Sequence, residues 1–249
     1  MGYREKLAEL ARGNESLAGN TEKLVVSGKR MLGVRMADLR KLAKEQVKGL
    51  GAEDIRVFMV SIDEGIYDEV MLTGLMIDGA KIADAEKIAL MRVYLTKVDS
   101  WALIDSVAMG KKKLDRELWW EFIDECLASP EEFSVRYGLV LMISNFLGEL
   151  SRVLERANRV RHDAYYVKMA LAWLYSEVAL EDYELAMAEM RDETKDTWVR
   201  RKALTKMLES YRIDDEQKAS VRKLRDELPK LFALEYSLQR KKQFFRQAV

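Results

Sequence analysis

Few residues of this chain have the types and spacing that common active sites need. His162 is the only histidine, which excludes a metal site built on paired histidines and argues against a histidine-based triad. Cys126 is the only cysteine, and it lies in an amphipathic pattern typical of a small core residue. No phosphate-binding loop is present, and no Gly-x-Ser-x-Gly nucleophile elbow. An enzyme with this sequence would act without an obvious metal, nucleotide cofactor or covalent nucleophile.

A tryptophan and an aspartate one helical turn apart are the first residues that could form a site. Trp101 and Asp105 share one face of a predicted helix. Ile104 and Ala108 flank that face, so we expect Asp105 to be buried. The same pattern is typical of an aspartate that caps a neighbouring helix beside a packed tryptophan, and the residues alone leave both interpretations open.

Arg136 and Trp173 lie on two later predicted helices. Arg136 is at the edge of the inward-facing side of its helix, where it could line a cleft or pair with Glu132 at the surface. Trp173 follows Met169 by one turn, and a tryptophan at such a position is usually part of the core. His162 precedes this second helix, where we expect a surface or capping role.

Helices are the elements that must position these residues, because apolar residues recur at spacings of three and four almost everywhere. Ser129, Pro130 and Glu132 predict a capped helix start, from which the helix reaches Phe146. Asp99 or Ser100 is expected to cap a helix over residues 101–108. The pattern predicts roughly a dozen helices of about 10 to 18 residues.

The helices are expected to form pairs that repeat along the chain. Their interval of roughly 35 to 45 residues is in the range of HEAT-like and armadillo-like arrays. Such pairs bury their apolar faces against their neighbours and form a curved surface. We predict an all-α fold, an α-α superhelix of HEAT-like helical repeats, with residues 1–249 in a single domain. A compact helical bundle is the alternative.

Composition agrees with an all-helical protein that has a substantial core. The 249 residues are 49% hydrophobic and 34% charged, and they include only 2 prolines. No apolar segment resembles a signal-peptide core or a membrane span, so a cytoplasmic location without membrane contact is expected. The single cysteine also predicts no disulfide framework.

The charge balance counts mildly against a nucleic-acid partner. The chain has 42 basic and 42 acidic residues, for a formal net charge of zero. Local distribution can override this total. Basic runs occupy residues 111–113, 152–161, 200–202 and 240–242, whereas residues 181–196 are acidic, and most such runs are solvated helix faces.

Several short segments together resemble the AlkD-type DNA alkylation repair glycosylases, which are built from HEAT-like repeats. The resemblance covers roughly residues 30–225. In family order, the matching segments are Leu32-Gly33-Val34-Arg35-Met36 with Leu39-Arg40, Trp101-Ala102-Leu103-Ile104-Asp105, Phe133-Ser134-Val135-Arg136, residues 165–173 ending in Ala172-Trp173, Lys202-Ala203 with Lys206, and Glu209-Ser210-Tyr211-Arg212. Each motif is weak, but their order and spacing are moderately specific.

The resemblance implies roles for individual residues. Trp101 and Trp173 would be aromatic walls around the damaged nucleotide, Asp105 the catalytic carboxylate, and Arg136 the basic residue beside the DNA backbone. Further DNA contacts would come from Arg35, Lys168 and Lys202. Two positions depart from the family pattern: Arg35 stands where some members have glutamine, which could alter strand contacts, and Ser100 stands where some have tryptophan, which could weaken packing around the site.

The family's chemistry suits a chain without an acid–base pair. Its substrates are cationic alkylpurines such as 7-methylguanine and 3-methyladenine, and a base that is already positive leaves without a proton from the enzyme. A fixed carboxylate would stabilise the oxocarbenium-like sugar. The resemblance implies excision from double-stranded DNA without base flipping, by a monomer that needs no cofactor or metal. A non-catalytic relative that binds branched or distorted DNA is the main alternative, and a helical scaffold for protein partners is the third.

Overall fold

The computed structural model describes residues 2–109 and 114–229, and these residues are mainly helical. The α-helices within these ranges are α1 Tyr3–Ala11, α2 Glu15–Leu24, α3 Met36–Gln46, α4 Ala52–Ser61, α5 Tyr67–Gly79, α6 Asp84–Leu95, α7 Trp101–Asp105, α8 Arg116–Leu127, α9 Glu132–Asn145, α10 Leu150–Ala157, α11 Tyr165–Glu181, α12 Tyr183–Arg191, α13 Thr197–Glu209 and α14 Asp215–Glu227. A short 3-10 helix spans Leu147–Glu149. Outside the helices, the described residues include one isolated β-bridge, between Arg30 and Ile66. The all-α prediction is confirmed.

The described chain divides into two compact units, the first ending at Phe122 and the second beginning at Ile123, within α8. In the first unit α5 is the central helix. It packs against α3, α4, α6 and α7, and each residue from Tyr67 to Ile77 is buried. Burial on all sides explains why α5 lacks a polar face.

In the second unit α11 is the central helix. It packs against α9, α12 and α13, and α13 also packs against α14. Cys126 is buried in this unit, as its sequence pattern predicts, and its Cβ lies against Gly138 of α9. The predicted single repeat domain over residues 1–249 stays a prediction.

The predicted start of α9 is wrong. The helix begins at Glu132, two residues after Pro130, and Glu131 occupies the N-cap position without a side-chain capping hydrogen bond. The local capping groups bind elsewhere. The Ser129 hydroxyl accepts a hydrogen bond from the Glu131 amide at 3.1 Å, and Glu132 Oε1 accepts one from the Tyr166 amide at 2.7 Å. These two hydrogen bonds therefore replace the predicted capping box.

Helix α7 is shorter than predicted: it ends at Asp105 and not at Ala108. No helix among the described residues is both long enough and apolar enough to cross a membrane. The basic runs at residues 111–113 and 240–242 lie outside the described residues.

Candidate functional site

Helix α7 carries the candidate carboxylate and one candidate indole in the first unit. Trp101 and Asp105 are the first and last residues of this five-residue helix and are four positions apart, so they lie on the same face. Both side chains are partly exposed, whereas Leu103 and Ile104 between them are fully buried. Asp105 was expected to be buried, but the residue is partly exposed.

Long-range hydrogen bonds anchor the segments on both sides of α7. Before the helix, the Asp99 carboxylate accepts hydrogen bonds from the Ser27 hydroxyl at 2.8 and 2.9 Å and from the Gly28 amide at 2.8 Å. After it, Arg40 Nη2 donates to the Ser106 carbonyl at 3.4 Å. Asp99 therefore ties two loops together and does not cap α7.

Ser100 occupies the N-cap position of α7, but its hydroxyl makes no capping hydrogen bond. The side chain is fully buried, and Oγ has no hydrogen-bond partner among the described residues. The helix begins at Trp101, as predicted. The prediction that the side chain of Asp99 or Ser100 caps it is wrong. A buried hydroxyl without a partner costs stability.

Arg35 lies at the N-cap of α3, and its side chain is exposed. The loop before it is held by Asp68, a buried residue of α5, whose carboxylate accepts hydrogen bonds from the Leu32 amide at 2.7 Å and the Val34 amide at 3.0 Å. Burial raises the pKa of Asp68, and the backbone amides partly offset this rise. The buried carboxylate thus fixes the loop that presents Arg35.

Arg136 joins α9 to the first turn of α11 in the second unit. Its side chain is 6% exposed, which excludes the alternative of a surface residue. Nη1 donates a hydrogen bond to the Tyr166 carbonyl at 2.8 Å, and Glu132 accepts one from the amide of the same residue. Glu132 and Arg136, one turn apart on α9, therefore bind the amide and the carbonyl of Tyr166.

A cationic cluster lies near Trp173 in the second unit. Trp173 is partly exposed, and its indole Nε1 donates to Glu177 Oε1 at 2.9 Å. Burial lowers the pKa of Lys206 on α13, and the nearby charges of Lys202 and Arg136 lower it further, while Glu209 and Glu177 raise it. We call Arg136, Lys202 and Lys206 the cationic cluster. Like charges brought together in this way favour an anionic ligand.

Lys168 has carboxylate partners within the protein. Its Nζ lies 2.9 Å from Asp196 Oδ2 and 3.1 Å from Asp163 Oδ1, and its side chain is 12% exposed. The ammonium lowers the pKa of Asp196 against the effect of burial. Asp196 also caps α13 by accepting a hydrogen bond from the Val199 amide at 2.9 Å. Lys168 therefore links α11 to the start of α13.

His162 does not cap α11, whose N-cap residue is Ala164 without a side-chain capping hydrogen bond, but it does bind the backbone just before this helix. Its Nδ1 accepts a hydrogen bond from the Ala164 amide at 3.1 Å, just before α11, and its Nε2 lies 3.2 Å from the Pro130 carbonyl. Among the residues in the described ranges, no group of His, Cys, Asp or Glu side chains has an arrangement that could hold a metal ion.

The model of the family described as DNA alkylation repair enzyme matches residues 4–207. The chain belongs to this family. No curated protein matches the chain. The functional class is therefore DNA alkylation repair, and DNA is the substrate that the family description indicates. Membership in the DNA alkylation repair family confirms the resemblance on which the residue roles were predicted.

The seven predicted site residues of this DNA alkylation repair protein are distributed over both units. The first unit contains Trp101 and Asp105, which lie together on α7, and Arg35 at the N-cap of α3. The second contains Trp173 and Lys168 on α11, with Arg136 and Lys202 in the cationic cluster. Their roles in catalysis and DNA binding stay predictions.

Sequence reasoning gave no role to three residues that the structure places beside the predicted ones. Arg40 reaches the residue after Asp105, Glu177 binds the Trp173 indole, and Lys206 completes the cationic cluster. Spacing could have indicated Glu177, since it follows Trp173 by one turn, and Lys206, since it follows Lys202 by one turn. Nothing local indicates Arg40, because its partner is 66 positions away in the chain.

Proposed function

We propose that the protein is a DNA glycosylase that excises cationic alkylated purines, of the 7-methylguanine and 3-methyladenine type, from double-stranded DNA. In this reaction the bond between the sugar C1′ and the purine nitrogen breaks, and the purine leaves as a neutral base. Water supplies the hydroxyl that replaces it on C1′, and one proton is released. The base is activated by its own positive charge, so no general acid is required.

The observation that carries this proposal is the pairing of Asp105 and Trp101 on one face of α7, with both side chains partly exposed. As the glycosidic bond lengthens, positive charge moves onto the sugar. A fixed carboxylate stabilises that charge more strongly in the transition state than in the ground state. An indole face attracts the cationic base and sugar with about 0.5 to 2 kcal/mol per contact.

The second unit is proposed to bind the DNA backbone. Arg136, Lys202 and Lys206 bring together three positive charges beside the carboxylates of Glu177 and Glu209, and these cations are proposed to bind a phosphate. Trp173, beside this cluster through Glu177, is proposed as the second aromatic wall.

Two further backbone contacts are proposed. Arg35 is exposed and held by a fixed loop, so its guanidinium is available to a phosphate. To bind a phosphate, Lys168 would have to give up its ion pair with Asp163 or Asp196. We therefore expect Lys168 to contribute less to DNA affinity than Arg35. We take a single chain as the active unit.

We also propose that the lesion is excised without base flipping. Trp101 and Asp105 are partly exposed on α7, whereas Leu103 and Ile104 between them are fully buried. Surface groups suit contact with the sugar from the backbone side. A flipped base would need an enclosing pocket.

Release of free 7-methylguanine from methylated duplex DNA tests the proposed function. The native protein should release the base, and Asp105→Asn should lower the rate by about two to three orders of magnitude while duplex affinity is kept. Glu22→Gln is the matched control, because it neutralises an exposed carboxylate of the same unit. Salt-sensitive DNA binding without release by any variant would overturn the enzyme and support the binding of distorted or branched DNA.

A further inference from the structure

Helix α7 is too short to be stable alone. It has five residues, whereas isolated helices need about 12 to 15 residues even to be marginally stable in water. Its position must therefore depend on contacts with other elements. Any group that fixes its backbone also fixes the directions of Trp101 and Asp105.

Tyr94 is the residue that binds the α7 backbone from below. It lies on α6 and is fully buried, and its hydroxyl donates a hydrogen bond to the Leu103 carbonyl at 3.1 Å. Leu103 is the middle residue of α7, two positions from Trp101 and two from Asp105. The bond therefore holds the backbone of α7 midway between the two candidate site residues.

The fold makes room for the Tyr94 ring at Gly74 of α5. A Cβ at position 74 would lie 2.6 Å from Tyr94 Cζ and Oη, closer than any ordinary contact. Burial raises the pKa of Tyr94 well above its usual value, so the hydroxyl keeps its proton and remains a donor. Gly74 and Tyr94 thus form a fixed support under α7, which Tyr94 binds at the Leu103 carbonyl.

We propose that Tyr94 is a positioning residue for base excision: its hydroxyl, through the Leu103 carbonyl, holds α7 so that Asp105 and Trp101 keep their orientation toward the sugar. This inference rests on the proposed function. Tyr94 has no exposed surface, so it acts through α7 and does not touch DNA. Small misplacements of a reacting group lower rates strongly, which makes one buried hydroxyl important for catalysis.

The test is Tyr94→Phe, which keeps the ring in its site and removes the hydroxyl. Single-turnover release of 7-methylguanine should fall about tenfold or more, with unchanged affinity for the duplex. Tyr175→Phe is the matched control. Tyr175 is a buried tyrosine of the second unit whose hydroxyl donates to Asn158 Oδ1 at 2.6 Å, so this variant also loses one hydrogen bond but should keep the native rate.

A second measurement reports on α7 without enzyme activity. The indole N–H resonance of Trp101, assigned by its loss in Trp101→Phe, should shift in Tyr94→Phe and stay unchanged in Tyr175→Phe. A native excision rate in Tyr94→Phe, or an unmoved Trp101 resonance, would overturn the positioning role. Failure of the native protein to release base would instead contradict the proposed function, while the resonance would still report whether Tyr94 positions α7.

Discussion

At the scale of single residues, Ser100 is a buried polar residue beside α7 that lowers the stability of the fold. Its hydroxyl is fully buried and has no hydrogen-bond partner within the described part of the chain. The neighbouring Asp99 carboxylate binds Ser27 and Gly28, so it is already engaged with other donors. A desolvated hydroxyl without a partner makes folding less favourable.

We expect Ser100→Ala to raise the free energy of unfolding by about 1 kcal/mol, because it removes a buried polar group that gains nothing in return. Chemical denaturation of the native protein and the variant measures this difference. Ser27→Ala is the comparison, since it removes a hydroxyl that does bind a carboxylate, and it should lower the same free energy by about 1 to 3 kcal/mol. A loss of stability in Ser100→Ala would mean that Oγ has a partner in solution.

The sequence predicted single residues well where their roles are local. Cys126 is in the core, as its position indicates, and His162 accepts a hydrogen bond from the Ala164 amide two residues away. Arg136 shows why other roles were missed. Its pattern placed it at the edge of a helix face, but the burial of its guanidinium depends on the Tyr166 carbonyl, 30 positions away in the chain.

At the scale of elements, the loop before α3 depends on a glycine. Gly33 has a φ of 89°, and a Cβ there would lie 2.8 Å from the Asn14 carbonyl oxygen. The amides of Leu32 and Val34, on either side of Gly33, bind Asp68. The backbone conformation of Gly33 therefore sets the position from which Arg35 leaves the loop.

Gly33→Ala should lower the free energy of unfolding by about 1 to 3 kcal/mol, because alanine is strained at this φ and its Cβ clashes with the backbone. Thermal and chemical unfolding would measure the loss. Gly19→Ala is the control. Gly19 lies inside α2 with open space around it, so alanine there should raise stability by roughly 0.5 to 1 kcal/mol. Equal effects of the two changes would contradict the strained loop.

Helix boundaries were predicted less well than helix existence. The residues around Pro130 have the composition of a capped start, but Glu132 binds the Tyr166 amide and the Pro130 carbonyl lies near His162. These partners are more than 30 positions away in sequence. Local propensity therefore indicated that a helix begins here, and tertiary contacts decided at which residue.

At the scale of the whole molecule, a DNA repair protein with zero net charge needs locally concentrated cations. Much of the basic surface is neutralised: Arg152, Arg156 and Arg159 each pair with a carboxylate. In the cationic cluster, burial and the like charges of Lys202 and Arg136 lower the pKa of Lys206, while Glu209 and Glu177 raise it. Sequence reasoning identified the basic runs but could not tell which of them the fold pairs with acids.

The lowered pKa of Lys206 links stability, pH and DNA binding. A lysine whose pKa is lower in the folded state binds fewer protons when folded, so its charge costs stability below the folded pKa. That cost is relieved as pH rises from the folded pKa toward the unfolded value. A DNA phosphate beside the cluster would favour the charged form, so binding should raise the pKa of Lys206 and weaken as pH rises above its pKa in the folded, unbound protein.

Lys206→Met keeps the aliphatic stem and removes the charge. It should leave the free energy of unfolding equal or higher at neutral pH, yet weaken duplex binding and reduce the slope of log affinity against log salt by about 1, because one phosphate contact is lost. Fluorescence anisotropy across a salt series measures the slope. Lys223→Met, at an exposed position of α14, should change neither quantity. An unchanged slope in Lys206→Met, or a loss of stability as large as that of a core substitution, would make Lys206 a structural residue and remove the cationic cluster from the DNA interface.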